Sequence, residues 1–231
     1  MRIHPDDSHA SGLDGSVPLI ALDESLLEQG TRELCDKDPD LARIFEMTGT
    51  PPLWPRDEGF PTLTFIILEQ QVSLASARAA FERLQSQTSP LTPRSFMELD
   101  DERLKNIGFS RQKAGYVRGL ATAILENKLD LEKLRALDDK SARAELVSIK
   151  GIGPWTADIY LLRALLRPDI WPVGDLALAV AAQGAKNLDS RPGPDGMELL
   201  GRPWRPWRAV AARMLWSYYL KVLTKNKGDV P

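Results

Sequence analysis

The chain has 231 residues, 43% of them hydrophobic, and a formal net charge of −2. That length supports a full core in one large domain or two lobes, and no apolar run reaches the ~18 residues that a membrane span needs. A single cysteine, Cys35, rules out an internal disulfide and a cysteine-rich metal site, so it reads as a core or surface residue. The only histidines, His4 and His9, sit in a polar tail, which removes histidine triads and zinc–histidine sites. Chemistry here must rest on carboxylates, lysine, aromatics or backbone.

The N-terminus, "MRIHPDDSHASGLDGS", lacks the apolar core of a signal peptide, so a cytoplasmic protein is expected. Residues 1–20 read as a loose tail and residues 21–231 as one helical domain. In "DPDLARIFEMTG", Asp38 is the expected cap, Pro39 lies in the first turn and Gly49 is the stop. "PPLWPRDEG" is a proline-rich loop. "PTLTFIILEQQVS" predicts a buried helix ending near residues 70–72, after which Ser73 caps "LASARAAFERLQ". Thr92 and Pro93 open a short helix. "SRQKAGYVRGLATAILEN" is amphipathic, with Tyr116, Leu120, Ala123 and Ile124 on one side. "DDKSARAELVSI" and "PWTADIYLLRALL" are helices joined by a glycine turn, a hairpin spanning about 141–167. "DLALAVAAQ" and "WRAVAARMLWSYYLKVL" follow, and "NLDSRPGPDGMELLGRP" between them reads as a flexible connection. No strand-like alternation of useful length is found, so the predicted fold class is all-α.

The net charge conceals an asymmetry. Arg202, Arg205, Arg208, Arg213, Lys221, Lys225 and Lys227 crowd the C-terminal stretch 201–227 with no acidic residue among them. Arg111, Lys113 and Arg118 form a second acid-free stretch over 107–125. A local basic face binds phosphate whatever the total charge, and a solvated helix face is the plain alternative.

The turn "LVSIKGIGPWTAD" is the most informative segment. Gly151 and Gly153 permit a sharp turn with exposed N–H groups, and Pro154 suits the first turn of the following helix. Those N–H groups and the positive helix end suit one phosphate without any charged side chain. Asp175, after "PVG" and before "LALAV", reads by itself as an N-cap.

These segments resemble a known family. "LVSIKGIGPWTADIYLL" resembles the helix-hairpin-helix of the DNA glycosylase superfamily, and "DIWPVGDLALAV" follows where that superfamily carries its essential aspartate, here Asp175. "ILEQQVSLASA" and "RPWRPWRAVAARMLWSYY" resemble the alkylation-repair branch, the 3-methyladenine DNA glycosylase II (alkylbase DNA glycosylase) group. The resemblance covers about residues 38–223. Lys150 stands where the family often has proline. The cysteine count excludes the iron–sulfur cluster of the endonuclease III branch, and the short N-terminal segment implies the compact form of the group.

The resemblance implies a two-lobed, all-helical fold with the active site in the cleft between lobes, acting on double-stranded DNA with alkylated bases as a monomer. It makes Asp175 the catalytic residue, stabilising the positive charge that develops on the sugar as the base leaves. Trp155 and Trp216 match its pocket positions, since a desolvated tryptophan face attracts a cationic base by ~1–2 kcal/mol; Trp54, in the proline-rich loop, is a further pocket candidate beside that match. Gln71 matches the side chain that plugs the gap left by a flipped base, with Gln70, Lys150, Gly151, Gly153 and Thr156 as further DNA contacts. Lys150, before the turn, is expected to face phosphate or solvent. The carbonyls of Val147, Ile149 and Ile152 match those holding a structural monovalent cation between hairpin and phosphate. Trp155 replaces the lysine with which strand-cleaving members form a Schiff base, so a monofunctional enzyme without a catalytic cofactor is implied. A non-enzymatic helix-hairpin-helix DNA-binding module is the rival; it accounts for the hairpin but not for Asp175 beside tryptophans.

Overall fold

The computed structural model describes residues 20–224, and no strand occurs among them. The expected tail therefore falls almost entirely outside the described residues, as do His4, His9, Lys225 and Lys227. Twelve α-helices are present among the described residues: α1 Glu24–Lys37, α2 Pro39–Thr48, α3 Phe60–Glu69, α4 Leu74–Gln87, α5 Pro93–Met97, α6 Asp101–Ile107, α7 Arg111–Leu125, α8 Asp139–Val147, α9 Pro154–Arg163, α10 Leu176–Ala185, α11 Pro194–Gly201 and α12 Arg208–Tyr218. None is long and apolar enough to cross a membrane.

Local chemistry sets most of the boundaries. Asp38, Ser73, Thr92, Ser110 and Asp175 each accept a backbone N–H from the first turn of the helix they precede, satisfying donors that have no partner within the helix. Gly49 ends α2 with φ 71° and Gly108 ends α6 with φ 113°. Three helices depart from the sequence reading; α6, capped by Asp100, lies in a stretch given no element of its own. Helix α1, capped by Asp23, precedes the first helix expected. Helix α11 lies inside the stretch read as a flexible connection: Trp171 anchors it by donating its indole N–H to the Met197 carbonyl at 2.8 Å, and Met197 is fully buried.

Helices α3 to α7 pack largely on one another, while α1, α2, α10 and α12 pack together; α9 touches α3 and pairs with α8. The buried residues of α7 are Ala114, Val117, Leu120, Ala121 and Ala123. Leu120 and Ala123 are of the face expected; Tyr116 and Ile124 pack half-buried against the core, and the Tyr116 ring also meets the hairpin at Gly151. Residues such as Leu63, Ile66, Ile67, Tyr160, Leu161 and Leu162 are completely buried, each aliphatic side chain contributing about 1.5–3 kcal/mol by leaving water. Their packing fixes α3 and α9, the two helices next to the turn that carries Gln71 and to the hairpin.

Candidate active site

Asp175 sits at the start of α10, positioned by a tight turn in which its own N–H donates to the Pro172 carbonyl at 3.0 Å. One carboxylate oxygen, Oδ1, accepts the Leu178 N–H at 2.9 Å and the Trp216 indole N–H at 3.2 Å. The other, Oδ2, accepts the Trp155 indole N–H at 3.0 Å. The side chain is thus a helix cap and the meeting point of two tryptophans at once. Half-buried rather than enclosed, Asp175 keeps one acceptor site of about four uncommitted among these contacts. Leu176, the next residue, is 62% exposed, an apolar side chain beside the carboxylate that no motif marks in the sequence.

Trp155 is placed by Pro154, which starts α9, and Trp216 by the buried stripe of α12. Trp54 comes from the proline-rich loop. Its ring centroid lies 6.5 Å from that of Trp216, tilted by 59°, so Trp155 and Trp216 meet at Asp175 and Trp54 packs beside Trp216. Trp54 holds φ 47°, a strained conformation for a bulky residue. Two arginines hold the loop there: Arg163 Nε donates to the Trp54 carbonyl at 3.2 Å and Arg213 Nε to the Leu53 carbonyl at 2.9 Å. Arg213 is completely buried and also donates to the Ala209 and Leu162 carbonyls. Burial, then the neighbouring Arg163 charge, lowers the Arg213 pKa to about 9. Burial, then the Arg56 charge, lowers that of Arg163 to about 10. Both remain cations near neutral pH.

The hairpin joins α8 to α9. Gly151 has φ 97°, and a Cβ there would lie 2.2 Å from the Tyr116 ring; the position admits glycine for both reasons. Gly153 is different: it is exposed, and a Cβ there would meet nothing within 4 Å. Lys150 is exposed and Ile152 is buried, pinning the turn from below. Of the three carbonyls matched to a cation, that of Ile149 already accepts the Ile152 N–H at 3.0 Å. An ion pair between Arg143 and Asp158 ties α8 to α9. Burial raises the Asp158 pKa to about 6 against the opposing Arg143 charge.

Gln71 is exposed with φ 57°, standing out from the turn between α3 and α4. Val72 and Leu74 flank it, 47% and 64% exposed. Two residues expected to contact DNA are bonded to each other within the chain, Gln70 half-buried and Thr156 buried. Gln70 donates its amide to the Gly151 carbonyl and to the Thr156 hydroxyl, both at 2.9 Å, and Thr156 is only 1% exposed. The reason is physical: a hydroxyl buried at the start of α9 needs a partner, and Gln70 is within reach.

The C-terminal basic stretch also disperses. Arg213 is spent in the core, Arg208 and Arg205 pair with Asp169, and Lys221 donates to the Thr48 carbonyl. In the second stretch Lys113 donates to the Leu68 carbonyl at 2.7 Å, Arg118 pairs with Asp101 and Arg111 is exposed. No group of three or more His, Cys, Asp or Glu side chains able to hold a metal ion occurs among the described residues.

The family model described as "HhH-GPD superfamily base excision DNA repair protein" matches residues 65–206. The Bacillus subtilis protein YfjP is 30% identical over 184 residues, which are 76% of this chain and 64% of that protein's length. The DNA-3-methyladenine glycosylase of Bacillus subtilis is 28% identical over 229 residues, covering 88% of this chain and 76% of that one. The Schizosaccharomyces pombe 3-methyladenine DNA glycosylase Mag1, solved in complex with abasic DNA, superposes with a TM-score of 0.78 at 25% identity, covering 81% of this chain and 95% of that chain. The chain belongs to the HhH-GPD superfamily of base excision DNA repair proteins.

Proposed function

We propose that this protein is a monofunctional DNA glycosylase that releases alkylated bases from double-stranded DNA and leaves an abasic site. The observation that carries the reading is the Asp175 carboxylate, gripped by the indole N–H groups of Trp155 and Trp216 at the start of α10. A helix cap needs no such aromatic setting. A pocket for an extruded base does, and the names of the relatives point the same way.

In this reading the backbone N–H groups at Gly151 and Gly153 and the N-terminus of α9 hold a phosphate, assisted by Lys150. Gln71 fills the gap left in the stack, and the extruded base lies among Trp54, Trp155 and Trp216 in the cleft between the two helix groups. As the N-glycosidic bond breaks, its electron pair leaves with the base. The sugar carbon takes on positive charge, which the Asp175 carboxylate stabilises. Water then adds at that carbon, its hydroxyl joins the sugar and its proton is released. An alkylated purine that is already cationic leaves without a separate general acid, in keeping with the lack of histidine among the described residues. The residue at 155 is a tryptophan rather than an amine, so no Schiff base forms there.

The Val147, Ile149 and Ile152 carbonyls are oxygen donors of the kind a hard cation accepts, and the Ile149 oxygen keeps a second lone pair beside its bond to the Ile152 N–H. They would hold a monovalent cation against a DNA phosphate in a structural role. The activity test is incubation with a methylated duplex followed by alkaline cleavage. Strand breaks at the modified positions support the reading. An intact strand, with the duplex bound, favours the non-enzymatic DNA-binding module.

A further inference from the structure

The turn that carries Gln71 and the turn of the hairpin are far apart in sequence, and one side chain joins them. Gln70 Nε2 donates to the carbonyl of Gly151, 81 residues away, and to Thr156 Oγ1. Both turns hold left-handed backbone, at Gln71 and at Gly151. The first is fastened from behind as well, where Lys113 Nζ donates to the Leu68 carbonyl at 2.7 Å. The second rests on the Tyr116 ring. Lys113 and Tyr116 belong to the same helix, α7, so the two turns share one support and one cross-link.

We infer that Gln70 is a positioning residue that locks the Gln71 turn onto the hairpin, so that phosphate grip and insertion into the base stack occur as one rigid movement. This rests on the reading of Gln71 as the plug and of the hairpin as the phosphate grip. Strained backbone persists only where its surroundings over-determine it. The cross-link supplies that constraint at the place where a plug must resist being pushed back by the stack. Without it, the hairpin still presents its N–H groups, but Gln71 is no longer held at a fixed distance from the gripped phosphate. Duplex binding is retained in that case and base extrusion is lost.

The experiment uses the full chain and a duplex carrying 7-methylguanine. Gln70→Met keeps the bulk of the side chain and removes the donor. Thr156→Val removes the partner hydroxyl, and Thr156→Ser restores it. Affinity for an undamaged duplex and the single-turnover rate of base release are measured for each. Gln70→Met should bind undamaged duplex within about twofold of wild type, since hairpin contacts to phosphate are untouched. Its base release should fall by roughly tenfold or more, the scale of one to two lost hydrogen bonds. Thr156→Val should show a smaller loss, Thr156→Ser should restore most of it, and the double variant Gln70→Met with Thr156→Val should be no slower than Gln70→Met alone. A residue that served only stability would lower the melting temperature without changing the rate of the folded enzyme. Wild-type rates in Gln70→Met, or losses that multiply in the double variant, would overturn the proposal. If Gln70→Met fails to fold, Thr156→Val and Thr156→Ser test the same bond from its other end. Absence of base release in the wild-type protein would instead refute the glycosylase reading.

Discussion

Trp155 donates its indole N–H to Oδ2 of Asp175 at 3.0 Å, across twenty residues of chain. With Trp216 on the other oxygen, the carboxylate is fixed in orientation as well as position. The tryptophans therefore hold the carboxylate, whatever base they stack against in the proposed reaction. Trp155→Phe and Trp216→Phe keep an aromatic face and remove the donor. Each should slow single-turnover base release by roughly tenfold or more, since a hydrogen bond to a charged group contributes ~1.5–3 kcal/mol. Rates unchanged in both would assign the tryptophans to stacking alone.

The two hairpin glycines should behave differently. Gly151→Ala forces a side chain into the Tyr116 ring at a positive φ and should destabilise the fold by at least about 1–3 kcal/mol, visible as a lower melting temperature. Gly153→Ala meets open space, so its melting temperature should stay close to wild type, while on the proposed reading of the hairpin as a phosphate grip affinity for every duplex sequence should fall alike. A Gly153→Ala protein with unchanged affinity would remove that glycine from the interface.

Much of this arrangement is legible in the sequence. Helix starts at Asp38, Ser73, Thr92 and Ser110 are local events, settled by a side-chain oxygen and the next turn of backbone. Asp175 as a cap and Gly151 as a turn are readable for the same reason. Gln70, Thr156 and Arg213 are not. Each is decided by a partner between 51 and 160 residues away or buried in another element, and a polar side chain carries no mark of whether it will meet water or a distant carbonyl. Arg213 sits in a run of basic residues and looks exposed until the carbonyls of Leu53 and Leu162 are brought beside it. Helix α11 has a local signal, Pro194 after Gly193, outweighed by the surrounding glycine and proline.

Reaction type has its own test. With tryptophan at 155, borohydride added during turnover should trap no covalent protein–DNA adduct, and the product should be an abasic site in an unbroken strand until alkali is added. An adduct that disappears in Lys150→Ala would make Lys150 a Schiff-base nucleophile and the protein a lyase.

Asp158 links stability to pH. Burial raises its pKa to about 6 from an ordinary value of 3.8, with Arg143 opposing. The folded state binds this proton more tightly than the unfolded one, so the contribution is fully present below about pH 4 and is lost as pH rises through about 6. Relative to Asp158→Asn, the wild-type melting temperature should fall between about pH 4 and pH 6 and level off above. A constant difference across that range would show that Arg143 cancels the burial.

The carboxylate itself gives the most direct measurement. Asp175→Asn preserves an oxygen able to accept the Leu178 N–H, and asparagine caps helices about as well as aspartate, so the melting temperature should change little. Affinity for a duplex with an abasic-site analogue should persist, since the proposed reading assigns that affinity to the hairpin and Gln71. Single-turnover release of 7-methylguanine should fall by roughly two orders of magnitude or more, the scale for removing one electrostatic stabiliser. A folded Asp175→Asn protein that binds that duplex and releases 7-methylguanine at the wild-type rate would contradict the assignment of Asp175 as the residue that stabilises the departing base's sugar.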